Sequence, residues 1–175
     1  VLNVSCGFNK VHLKRAYRKL LSEREKDKVY LIGPIPLPDN SHIVIFDTEY
    51  SLTDGVLYGF LDMESGEFKQ FWFDEKDQAI KYLQTKNGKI FVHWGGADIS
   101  LLHRDLRCQA QTFNLLYYVQ TSLVAPISSA TLREVHDVLY GTLERDEFWK
   151  RSFYDKNGLD KLVLCIRILR KPNDT

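Results

Sequence analysis

HIVIFDTEY, residues 42–50, is an apolar run that gives way at Asp47 to alternating acidic and neutral positions. Ile43, Val44, Ile45 and Phe46 are β-prone and do not alternate with polar residues, the pattern of a central strand buried on both faces. A strand turns every second side chain to the same face, so Asp47 and Glu49 share one. Two carboxylates at i and i+2, on a strand that ends in a polar turn, are hard oxygen donors of the kind Mg2+ and Mn2+ take. A strand-capping Asp beside a solvated Glu is the bland alternative, and the pair alone does not separate the two.

Downstream, VLYGFLDM (56–63) and EFKQFWF (67–73) are two β-prone runs around Glu64, Ser65 and Gly66, which predicts a hairpin. Ala79, Ile80 and Leu83 sit at helical spacing within 75–84, and Asn87-Gly88 stops that helix. KIFVHW (89–94) is a fourth strand, and after Gly95-Gly96 a helical pattern runs through Ile99, Leu101, Leu102 and Leu106. FNLLYYV (113–119) is either a fifth strand or a strand running into a helix. SATLREVHDVLYG (129–141) is a helix capped by Ser129 and ended by Gly141. A charged connection (142–156) leads to a last helix from Gly158 to Arg170, striped by Leu159, Leu162, Val163, Ile166 and Leu169 and stopped by Pro172.

Upstream, GPIPLPDNS (33–41) holds three of the five prolines and reads as a linker. Val11, Leu13, Ala16, Tyr17, Leu20 and Leu21 recur at helical spacing among Lys10, Lys14, Arg15, Arg18 and Lys19, which makes 9–24 a basic amphipathic helix. Its basic face is either solvated or laid against phosphates. The order of elements predicts an α/β fold of ribonuclease-H-like order, a mixed five-stranded sheet flanked by helices. Residues 1–40 form a basic helical extension with a Pro-rich linker, and 41–172 form the domain.

With 175 residues, 44% of them apolar, the chain buries a core without disulfide or metal staples. A net charge of +1 carries no overall signature of nucleic-acid binding, so any polyanion site has to be local. Cys6, Cys108 and Cys165 are odd in number and widely spaced, and fit neither a disulfide framework nor a paired-cysteine zinc site. No apolar stretch is long enough to span a bilayer and no signal-peptide pattern is present, so a cytoplasmic protein with no membrane partner is expected. Because residue 1 is Val, the chain reads either as a piece of a longer polypeptide, in which nuclease or helicase domains would be the expected companions, or as a trimmed one.

Asp98, just past the fourth strand in HWGGAD, and Asp160, in the first turn of the last helix, complete a set of four acids. Singly, each reads as a helix cap. Together, in the order Asp-x-Glu, Asp, Asp, they are what in-line phosphoryl displacement on two metal ions needs. VIFDTEYS resembles the first motif of the DEDD-type 3′–5′ exonucleases, IFVHWGGADISLL their second and NGLDKLVLCIRIL their third. The similarity is greatest to the YprB-like ribonuclease-H-like branch, often attached to RecB-like nuclease domains, where segments resembling GPIPLP and TLREVHDVLYG occupy corresponding places. It covers roughly residues 33–170.

The resemblance implies hydrolysis of DNA or RNA with two Mg2+ or Mn2+ ions, chiefly at 3′ ends or single strands. It implies that Asp47 bridges the metals, Glu49 and Asp160 complete the first site, and Asp98 steadies the second. In that family a Tyr four residues before the third-motif Asp, or a His five before it, serves as general base; here Lys156 and Asp155 stand there, and Tyr154 comes slightly early. Asn157 matches a frequent family residue at the substrate. His93 and His136 are other candidate bases, although a lone histidine is more often structural than a base. Trp94, beside two glycines, is placed to stack on a terminal base or to fill core, and Tyr50 to line the substrate groove. A non-catalytic nucleic-acid- or protein-binding module of this fold and a structure-specific endonuclease are the alternatives.

Overall fold

The structure, a computed structural model, describes residues 9–26, 28–51 and 55–140. Five strands make one mixed sheet: β2 (Ile43–Ser51), β3 (Gly55–Asp62), β4 (Phe68–Trp72), β5 (Ile90–His93) and β6 (Thr112–Asn114), counted after a short upstream β1 (Tyr30–Leu31). In space the order is β4-β3-β2-β5-β6. β2, β3 and β4 are an antiparallel meander, whereas β5 and β6 run parallel to β2. As expected for a strand apolar on both faces, Ile43 to Phe46 are fully buried at the sheet's centre.

The pleat of β2 divides the core in two. Ile43 and Ile45 pack with Val92 against α4 (Leu115–Ser122) and α5 (Leu132–Tyr140), through Leu115, Val119 and Val135. Val44 and Phe46 pack on the other face against α2 (Lys76–Thr85) and α3 (Gly96–Arg104), through Ala79, Leu83, Leu101 and Leu102. Phe46 and Phe60 stack there with ring centroids 5.0 Å apart. The doubtful run at 113–119 resolves as strand into helix, because the Asn114 side chain accepts a hydrogen bond from the Tyr117 amide, 3.3 Å, and caps α4.

The N-terminal segment packs onto this body. α1 (Lys10–Arg24) lies against α4 and β7 (Leu123–Val124), and β1 pairs antiparallel with β7 in a two-stranded sheet that periodicity did not announce. The stretch read as a linker, 33–41, threads Ile35 into the core. Residues 142–156 and the helix expected over 158–170 lie outside the described residues.

α5 starts later than expected, and Thr131 rather than Ser129 caps it. The Thr131 hydroxyl accepts from the Glu134 amide, 3.2 Å, while the Glu134 carboxylate accepts from the Thr131 amide, 3.3 Å, a reciprocal capping box. Ser129 instead donates its amide and hydroxyl to Glu134, as does Ser128. These bonds hold the Glu134 carboxyl down at about 2. Glu134→Ala is therefore expected to cost about 1 kcal/mol, read as a fall in Tm at pH 7. The wild-type advantage is present above the unfolded value, about 4.3, and fades as pH drops towards 2, so the two melting curves converge in acid.

At the edge β4–β3, Lys86 Nζ sits 2.9 Å from both Asp62 Oδ2 and Glu67 Oε2, with Asp62 only 4% exposed. Burial by itself raises the Asp62 carboxyl, but the Lys86 ammonium and the Glu64 and Ser65 amides outweigh it and leave the group below its ordinary value. Lys86→Met leaves that carboxylate with Lys89, 3.7 Å from Oδ1, and the two amides, and is expected to cost about 1–3 kcal/mol in denaturant titration at pH 7, with the loss shrinking below pH 4 as Asp62 protonates.

Candidate functional site

β2, β5 and β6 run the same way, so their carboxyl ends fall at one edge of the sheet, where α/β folds leave a crevice for ligands. That edge gathers Asp47 and Glu49 from β2, His93 and Trp94 from the end of β5 and Asn114 from β6. Asp47 and Glu49 continue the Ile43/Ile45 face of β2, towards the α4 and α5 layer, with Asp47 half-buried and Glu49 exposed. Thr48 points the other way, along the Val44/Phe46 face.

Asp98 comes to the same strand from the α2 and α3 layer. β5 pairs with β2 only as far as Ile45, so beyond that point the edge of β2 is open to the turn that begins α3. Gly95 makes this turn with φ at +103°, a conformation strained for any side chain, and an added Cβ would lie 3.7 Å from Leu116. Asp98, in the first turn of α3, then takes the Thr48 hydroxyl as a donor at 2.6 Å and the Thr48 amide as well. Asp98 is 6% exposed. Burial pushes its carboxyl up, the Thr48 hydrogen bonds pull it back in part, and the charge of Glu49 pushes it up again, so the net shift is upward. Glu49 is thus close enough for its charge to be felt at Asp98, although the two acids reach the strand from opposite faces.

The residues read from the sequence divide three ways. Asp47 and Glu49 share a face, as the pleat requires, and Asp98 is joined to their strand through Thr48. Trp94 is half-buried and packed against the core on the Asp47 side, and Tyr50 pairs with Val56 in the ladder. Asp160, Tyr154, Lys156, Asn157 and Asp155 lie outside the described residues. Of the two histidines, His93 is buried and its imidazole is held by the Gly95 backbone; burial keeps it low, hence neutral, and its Nδ1 has no partner among the described residues. His136 is buried in α5 with Nδ1 3.6 Å from Asp137 Oδ1.

Thr48, through its bond to Asp98, is the residue of this candidate site that spacing did not reveal. Its only signal was a hydroxyl lodged between two acids in Asp-Thr-Glu. A cleft of about 630 Å³ also exists, lined by Leu83, Lys86, Phe91, Leu106 and Arg107. It opens at the amino end of β5, away from the carboxylates, and none of the candidate residues lines it.

In kind, the donor set fits a hard divalent cation, being wholly carboxylate oxygen. In number it is short: among the described residues no group of three or more His, Cys, Asp or Glu side chains is placed to hold a metal ion. Compared with protein-family models, with curated proteins and with solved structures, the chain finds no match. Among the described residues no helix is long and apolar enough to cross a membrane.

Proposed function

We propose that the chain is a metal-dependent nuclease of ribonuclease-H-like fold that hydrolyses phosphodiester bonds of DNA or RNA, trimming 3′ ends by a two-metal-ion mechanism. The observation that carries the reading is the bond from Thr48 to Asp98. It ties an acid fifty residues downstream to the strand segment that bears Asp47 and Glu49, at the edge where parallel strands end. Asp47 and Glu49 would hold Mg2+ or Mn2+, with Asp98 and Asp160 as the further carboxylates. The bound ions would supply charge neutralisation at the attacking and leaving oxygens and a water acidic enough to attack at neutral pH. The protein's own part is orientation: Thr48 fixes the Asp98 carboxyl, Gly95 allows the turn that delivers it, and the hydrogen bond to the Gly95 backbone steadies the neutral His93 beside that turn.

A second reading, a binding module of the same fold without hydrolytic activity, is favoured by the upward shift of Asp98, which suits a hydrogen-bonding acid better than a ligand. Incubating the chain and 5′-labelled single-stranded DNA or RNA with Mn2+ or Mg2+ separates them. Single-nucleotide ladders support the exonuclease, discrete cuts redirect the reading to an endonuclease, and intact oligonucleotide under every metal and substrate removes it.

A further inference from the structure

α1 is built inside out. Its inward face, against α4 and β7, buries Arg18 and Leu21, and Arg18 Nε and Nη1 have no hydrogen-bond partner there. Its outward face carries Leu13, Tyr17 and Leu20, which are 50%, 56% and 64% exposed. Of the six large apolar side chains exposed among the described residues, five lie between positions 13 and 32. An exposed leucine is ordinary by itself; three apolar side chains at i, i+4 and i+7 on one ridge, opposite a buried arginine, are an interaction surface.

The heptad positions say what would cover it. With Leu13 at a, Ala16 falls at d and Leu20 at the next a, a seam the width of a two-helix contact, while Arg18 falls at f, directly opposite. Lys10 takes an e position and Lys19 a g position, and both are exposed, whereas Arg24 at a later e is ion-paired with Glu25 at 2.8 Å. No acidic residue occupies the first turn, where the helix dipole favours one.

We propose that this ridge docks an acidic amphipathic helix of a partner protein, which lays apolar side chains along Leu13, Ala16 and Leu20 and sets carboxylates against Lys10 and Lys19. A second copy of the chain is disfavoured because cations would meet cations. A phosphate backbone would match the charges but leave Leu13 and Leu20 in water. A lipid surface calls for a broader apolar face than three side chains over about 10 Å of helix. The proposal does not depend on the nuclease reading.

The test titrates the full chain with a labelled synthetic helix carrying Leu at a and d and Glu at e and g. Saturable binding is expected, weakened at least about tenfold in Leu13→Glu/Leu20→Glu and by added salt. Lys10→Glu/Lys19→Glu should lose the Glu peptide and gain one with Lys at e and g. Circular dichroism checks that these surface variants fold. The proposal is overturned if the Glu peptide does not bind, if the variants bind it unchanged, or if the leucine variant abolishes capture by phosphatidylserine vesicles while peptide binding persists.

Discussion

Asp47→Asn is expected to reduce phosphodiester cleavage by roughly 10²–10³-fold or more, with the folded state intact. The substitution keeps the size of the side chain and removes its charge, so what it deletes is one of the two carboxylates that β2 would offer to a divalent cation in the proposed site. Asp47 is only half-buried at the carboxyl end of the strand, and the core positions before it, Ile43 to Phe46, are untouched. Two readouts check the expectation independently. One is the rate of oligonucleotide shortening with Mn2+. The other is the metal-dependent rise in Tm: a ligand present at a hundred times its Kd stabilises the folded state by about 2.7 kcal/mol, and that increment should vanish in the variant. A variant that keeps both cleavage and the Mn2+ increment would show that the Asp-x-Glu pair is not the metal site.

Local pattern sufficed for the sheet. Ile43 to Phe46 announce a buried strand by composition alone, and the two β-prone runs around Glu64, Ser65 and Gly66 announce a hairpin that is found with Asp62 accepting from the Glu64 amide at 3.0 Å. The face shared by Asp47 and Glu49 is likewise a matter of period two and needed no tertiary information. What the sequence hid is what depends on partners distant in the chain. β1 and β7 are two residues each, too short for any periodicity, and exist because Tyr30 meets Val124 across the fold. The start of α5 depended on which of two neighbouring hydroxyls Glu134 would pair with reciprocally, and Thr131 lies at the spacing a capping box demands. α1 was legible as an amphipathic helix, but not which face would be turned inward: burial of Arg18 beside Leu21 runs against hydropathy and follows from packing on α4 and β7. The link from Asp98 to Thr48 is of the same kind, since fifty residues separate a helix-cap candidate from the strand that makes it a site residue.

Asp98→Asn should separate stability from function. Burial holds the Asp98 carboxyl above its ordinary value, so the folded chain binds that proton more tightly than the unfolded chain does. From the unfolded value, about 3.9, up through the folded one, each rise in pH therefore costs wild-type stability through this group, and the cost is fully in place above it. Asparagine carries no charge and keeps an oxygen to accept the Thr48 hydroxyl, so the variant escapes the cost. Without metal, its Tm at pH 7 is expected to exceed that of the wild type. The difference should close as pH falls towards 4. Cleavage should instead be lost, because an amide cannot give up a proton to become an anionic ligand. Thr48→Val supplies the complementary result: with the hydroxyl gone, the carboxyl rises further, and the acid limb of the cleavage pH profile moves to higher pH. A stabilised Asp98→Asn that still cuts at the wild-type rate would make Asp98 a structural acid that braces Thr48, and the metal site would then have to be built without it.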